Sequence, residues 1–109
     1  MVIRVVRMSF KEEKVQDFIS LFNKTKNSIR DFDGCLRLDL LQDFGQEHIL
    51  TTYSYWQDLK SLDKYRHSPL FLDTWAEMKE YFSAKPIAFS CKKIMEVPAS
   101  EGEKLEKTS

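Results

Sequence analysis

The hydrophobic pattern opens with VIRVVRM at residues 2–8, a β-branched run interrupted by arginines that predicts a first strand. Ser9 stands three residues before Glu12, the spacing of a capping box, and predicts a helix start. Val15, Phe18, Ile19, Phe22 and Ile29 then recur at helical intervals, while Lys11, Glu13, Lys14, Asp17, Lys24 and Lys26 occupy the other side. Asp33-Gly34 closes this helix, the glycine suiting the left-handed position beyond a helix end. Residues 35–42, CLRLDLLQ, alternate as a second strand. Asp43-Phe44-Gly45-Gln46 makes a short turn, and residues 47–56, EHILTTYSYW, return as a third, antiparallel strand.

Asp58 can cap a short helix through about His67, with Leu59, Leu62 and Tyr65 as its apolar side. Ser68-Pro69 restarts the helix, serine as N-cap and proline in the first turn. Phe71, Trp75, Met78 and Phe82 follow at i, i+4, i+7 and i+11, a single stripe. Ala84-Lys85-Pro86 breaks it, and IAFSCKKI at 87–94 predicts a fourth strand. Residues 1–95 thus form one domain, and 96–109 read as a polar tail without fixed structure.

The order β-α-β-β-α-β is the ferredoxin-like unit of the α+β class, a four-stranded antiparallel sheet with its helices on one face. Strand two sets Leu36, Leu38 and Leu40 against Cys35, Arg37, Asp39 and Leu41. Strand three sets Ile49, Thr51, Tyr53 and Tyr55 against His48, Leu50, Thr52, Ser54 and Trp56. Strand four sets Ile87, Phe89 and Cys91 against Ala88 and Ser90. The uncovered face is therefore semi-polar and aromatic, which suits an interface and predicts a homodimer with two sheets packed face to face.

Composition narrows the partners. The 109 residues carry 17 Lys+Arg and 17 Asp+Glu, so no basic excess argues for nucleic acid or an anionic membrane. Arg4 and Arg7 interrupt the apolar start, unlike a signal peptide, and no apolar run reaches the length of a membrane span. Cys35 and Cys91 lack metal-ligand spacing and read as buried thiols of a cytoplasmic protein. No Ser-His-Asp set, phosphate loop or metal cluster is visible, and no cofactor is expected.

The stretch SYWQDLKSLDKYRHSPLF, followed by Trp75, Lys79, Lys85-Pro86, Ala88 and Ser90, resembles the antibiotic biosynthesis monooxygenase superfamily of dimeric α/β-barrel proteins. The resemblance spans roughly residues 2–95 and implies a cleft between helices and sheet. It also implies oxidation of small aromatic or quinol-like substrates by oxygen, without metal or flavin. Haem-degrading members carry tryptophan where Tyr65 stands, an iron-ligating histidine where Trp75 stands, and asparagine at about the place of Arg7. These departures argue against haem degradation.

Phenol oxidation without a cofactor needs help in removing a proton and a flat, dry pocket. His67, Trp75 and Tyr65 are the catalytic candidates; Phe18, Phe22, Trp56, Phe71, Tyr53, Arg37 and His48 are candidates for the pocket. Plainer readings stand beside these. Helical spacing alone makes the Phe71-to-Phe82 stripe core, and the positions of His67 and His48 suit solvent-facing side chains. Arg4 and Arg7 read as a solvated or interface pair, and Arg37 with Asp39 suits ion pairs across a dimer as well as a substrate. A non-catalytic dimer that binds a small hydrophobic molecule would use the same cleft.

Overall fold

The computed structural model describes residues 1–100; the expectation of a tail without fixed structure lies, for residues 101–109, outside the described residues. β1 (Val2–Ser9) leads through a 3₁₀ turn at Glu12–Lys14 into α1 (Val15–Arg30). The hairpin β2 (Cys35–Gln42) and β3 (Ile49–Trp56) follows, then α2 (Leu59–Arg66) and α3 (Pro69–Met78). A 3₁₀ turn at Lys79–Tyr81 precedes β4 (Ile87–Lys92). The strands form an antiparallel sheet in the order β2-β3-β1-β4, the ferredoxin-like arrangement, open at both edges.

Period-2 alternation explains which side of the sheet is covered. Val2, Val6 and Met8 of β1 align with Trp56, Thr52 and Leu50 of β3 and pack under the helices. α1 buries Phe18, Leu21 and Ile29 on this face. The core has two parts: Val6, Met8, Phe10, Phe18, Leu21, Leu50 and Met78 in one, and Val2, Cys35, Trp56 and Leu62 in the other.

Local chemistry sets the boundaries. Asp58 Oδ1 accepts from the Ser61 N–H at 2.8 Å, and Ser68 Oγ accepts from the Phe71 N–H at 3.2 Å, so both expected N-caps form. In the hairpin, Asp43 Oδ2 accepts from the Gly45 and Gln46 amides at 3.0 and 2.9 Å. The expected capping box at Ser9 does not form. Ser9 pairs with Ile49 as the last residue of β1, its carbonyl accepts from Ser83, and the helical turn starts after Lys11. Strand pairing on both sides of the chain outweighs the local cap signal. Strand three begins at Ile49 rather than residue 47, and strand four ends at Lys92 rather than residue 94.

Two further expectations are corrected. A register shift between Cys35 and Arg37 turns Cys35 into the helix-covered core beside Trp56, while Leu36 is exposed. Cys91 is exposed, because β4 is an edge strand. Among the described residues no helix is long and apolar enough to cross a membrane.

Gly34 links α1 to β2 at φ 90°, and its carbonyl accepts from the Gln57 N–H at 2.8 Å. A methyl group there would collide with Ser61 Cβ and Oγ. Gly34→Ala is expected to lower the unfolding free energy by about 2–3 kcal/mol, combining left-handed strain with the clash. A urea denaturation curve indistinguishable from wild type would refute this.

Candidate functional site

The two parts of the core do not close on one another. Between them, under α1 and the α2–α3 elbow, lies a narrow cavity of about 60 Å³. Its floor is the covered face of the sheet: Arg4, Val6, Met8, Thr52, Ser54 and Trp56. Phe18 and Phe22 of α1 form one wall, and Tyr65, Phe71 and Trp75 form the other.

The aromatic side chains hold one another in place. Trp56 is fully buried, donates its indole N–H to Ser54 Oγ at 2.9 Å, and stacks on Tyr65 with centroids 4.9 Å apart. Tyr65 meets Phe71 edge-on at 5.2 Å, Phe71 packs on Trp75 at 5.6 Å, and Trp75 on Phe82 at 5.8 Å. Phe82 then contacts Phe10 at 5.2 Å, and Phe10 stacks on Phe18 at 4.4 Å. Such pairs add to the stabilisation from burial and fix the shape of the cavity wall.

The polar groups on the lining are few, and some of them are engaged by neighbouring protein atoms. Thr25 Oγ1 donates to the Leu21 carbonyl and Thr74 Oγ1 to the Leu70 carbonyl, while Ser54 is engaged by Trp56. The Tyr65 hydroxyl and the Trp75 indole N–H have no hydrogen-bond partner among the described residues. Only Arg4 and Tyr65 on this lining are titratable; no histidine or carboxylate contributes. Burial pushes the Tyr65 phenol well above its ordinary range, the charge of Cys35 adds to the effect, and Arg4 opposes it. Tyr65 is therefore a neutral hydrogen-bond donor near pH 7, not a base. For Arg4, burial lowers the pKa first and the neighbouring Arg66 second.

Of the residues expected at the site, Trp75, Tyr65, Phe18, Phe22, Trp56 and Phe71 come together around the cavity. Four others do not line it. His67 caps the end of α2, with Nδ1 2.8 Å from the Asp63 carbonyl and a side chain 78% exposed. His48 sits just before β3 in a surface groove with Glu12, Gln42 and Glu47. Tyr53 and Arg37 lie on the opposite face of the sheet, because their strand parity differs from that of Trp56 and Thr52. There Arg37 pairs with Asp39 of its own strand at 2.8 Å and lies over the Tyr55 ring at 5.8 Å. The residue that sequence reasoning missed is Arg4. Its parity with Val2, Val6 and Met8 was the available signal. Among the described residues no cluster of three or more His, Cys, Asp or Glu side chains is placed to hold a metal ion.

The fold and cleft define a ferredoxin-like α+β protein with an aromatic cavity between its sheet and helices. The chain belongs to the antibiotic biosynthesis monooxygenase family, whose profile matches residues 1–77. A conserved protein from Methanosarcina mazei is 28% identical, with a TM-score of 0.80 over 85% of this chain and 93% of that one. SnoaB, a cofactor-independent oxygenase from Streptomyces nogalater, is 17% identical, with a TM-score of 0.79 over 90% and 97%. Rv0793 from Mycobacterium tuberculosis is 20% identical, with a TM-score of 0.81 over 89% and 98%. The last two likenesses are of fold. No match was found among curated protein sequences.

The raised Tyr65 pKa has a defined sign in stability. Unfolded tyrosine ionises near pH 10, whereas folded Tyr65 keeps its proton beyond that point. The folded state then binds more protons, so stability falls as pH rises above about 10. Tyr65→Phe keeps the stacking and removes this contribution. Its unfolding free energy should decline less than that of wild type between about pH 9 and 11. Equal slopes for the two proteins would contradict the assignment.

Proposed function

We propose that this protein is a cofactor-independent monooxygenase that oxidises a small aromatic or quinol-like compound in the cleft, working as a homodimer in the cytoplasm. The observation that carries the reading is the wall of Tyr65, Phe71 and Trp75 over an apolar floor, in a chain of this family. Such walls match the faces of a flat, electron-rich ring and, once the cleft has opened to admit it, exclude water from the oxidation. For an anthrone-type substrate, O₂ is the oxidant and a ring methylene becomes a carbonyl. One oxygen atom enters the product, and the other leaves as water with the two methylene hydrogens. Within the lining, Tyr65 and Trp75 supply hydrogen bonds to ring oxygens. A cavity of about 60 Å³ is smaller than one ring requires, since roughly 150 Å³ accommodates benzene. Entry therefore requires the α2–α3 elbow to yield. The unpaired thiols Cys35 and Cys91 are compatible with a reducing compartment.

Metal-free protein is expected to consume oxygen with anthrone or a naphthoquinol. Trp75→Ala should lose at least about tenfold in kcat/KM, through lost shape and water exclusion. His67→Ala should retain activity, because that ring lies outside the cleft. Oxygen uptake that is absent, or unchanged by Trp75→Ala, would reject the catalytic reading. A second reading, a binding protein without turnover, gains from the absence of any histidine or carboxylate on the lining. Tight binding without oxygen uptake would establish it.

The dimer rests on the uncovered sheet face. Ile3, Val5, Tyr53, Tyr55, Ile87 and Phe89 share it, with Ile87 55% and Phe89 48% exposed in the single chain. Apolar side chains at this density on a two-stranded centre and an edge suit a face-to-face pair. Sedimentation at micromolar concentration should give twice the 12.9 kDa protomer mass, and Phe89→Asp should give the protomer. A wild-type protein that sediments as a monomer would rule the dimer out.

A further inference from the structure

We propose that Arg4 makes the cleft selective for an aromatic ligand bearing an anionic oxygen, a phenolate or a carboxylate, which its guanidinium binds at the cavity floor. This inference rests on the reading of the cleft as a small-aromatic site.

The register of the sheet creates the position. Arg4 lies on the helix-covered face of β1, between Val2 and Val6, where an apolar side chain would continue the floor. Its cross-strand neighbours are both serines, Ser54 on β3 and Ser90 on β4. These small residues leave room beside the guanidinium, which is half-buried and reaches Ser90 at the exposed edge of the sheet. Ser54 Oγ is occupied by Trp56, and Ser90 Oγ accepts from Arg4 at a long 3.5 Å.

No charge compensates it. Among the described residues no carboxylate comes within 4.0 Å of Arg4. The groups around it are Tyr65, a neutral phenol, and Arg66, a second cation. Arg66 shares a groove with Ser90, Leu62, Lys60 and Asp63, which adjoins the cavity through Leu62. Asp63, the one carboxylate there, is 68% exposed, and its carboxylate sits 4.0 Å from His67. A half-buried guanidinium without a counterion bears a desolvation cost, and a bound anion offsets it. Arginine offers such an anion two parallel N–H donors, which suits a carboxylate or an oxygen on a planar ring.

The test uses three absorbing probes on one nitrophenyl ring: 4-nitrophenolate, 4-nitrobenzoate and neutral 4-nitroanisole. Their binding is measured by equilibrium dialysis at a pH where the first two are ionised. Wild type is expected to bind at least one anion roughly tenfold or more tighter than the anisole. Which anion wins separates the phenolate source from the carboxylate source. Arg4→Met should lose that preference while still binding 4-nitroanisole, which also shows that it has folded. Arg4→Lys should retain part of the preference. If 4-nitroanisole binds wild type as well as both anions do, or if Arg4→Met keeps the preference, the anion inference is overturned and the aromatic cleft stands. If none of the three binds, the cleft reading fails and this inference fails with it.

Discussion

The structure hangs on the stack between Trp56 at the end of β3 and Tyr65 in α2. Trp56 is wholly buried, and its one polar atom is satisfied by Ser54 two residues earlier on the same strand face. The indole therefore bears no desolvation cost, and its full area is available for packing. Tyr65 covers one side of it and Phe32, from the linker after α1, meets its edge at 6.3 Å. Three separate segments, β3, α2 and the linker into β2, are thus fixed by one side chain. Gly34 completes the junction by passing close under Ser61, which only a residue without a side chain can do at that φ.

The cavity follows from this anchoring. α2 is pinned at the Trp56 end of the sheet, and α3 packs at the Phe10 end through Met78 and the turn that follows it. The change of direction between them occurs at Ser68, whose hydroxyl donates to the Tyr65 carbonyl at 2.6 Å and accepts from the Phe71 amide. One residue closes the first helix and opens the second. Tyr65, Phe71 and Trp75 line up across this elbow, bridging the two core clusters without filling the space below. A straight helix through Ser68 would not place these three rings on one side of the gap. The cavity is thus a product of the helix break.

Most of this architecture was legible in the residues. Alternation in the strands, the Asp58 and Ser68 caps and the glycine after α1 each specify geometry within a few residues, and each formed. What was not legible depended on partners distant in sequence. Ser9 carries a cap signal, yet pairing with Ile49 and Ser83 keeps it in the sheet. The shift at Cys35 reverses one residue's face, which alternation cannot show without the partner strand. Site assignment suffered in the same way. Tyr53 and Arg37 looked like pocket residues because they are aromatic and charged, but their parity puts them on the other side of the sheet. His67 looked like a base because it adjoins the helix break, and the break points it outwards to cap α2. Phe18, Phe22, Phe71 and Trp75 do reach the cavity lining, because helical spacing determines which face each shares.

The two faces of the sheet divide the chemistry. On the uncovered face two cations are matched locally, Arg37 by Asp39 and Lys93 by Glu96 at 2.9 Å while lying over Tyr55, whereas exposed Arg7 has no carboxylate within 4.0 Å among the described residues. On the cavity lining Arg4 is the one cation among the described residues, and beside it stand a neutral phenol, Tyr65, and the second cation Arg66. A fold fixes a cleft but not the charge on its lining. The family profile ends at residue 77, before β4 and therefore before Ser90, the one hydroxyl that bonds Arg4. With no histidine or carboxylate among the described lining residues, a preference for an acidic ligand would come from stabilising its anion. A cation such as Arg4 does this without a base, by lowering the pKa of the bound ligand.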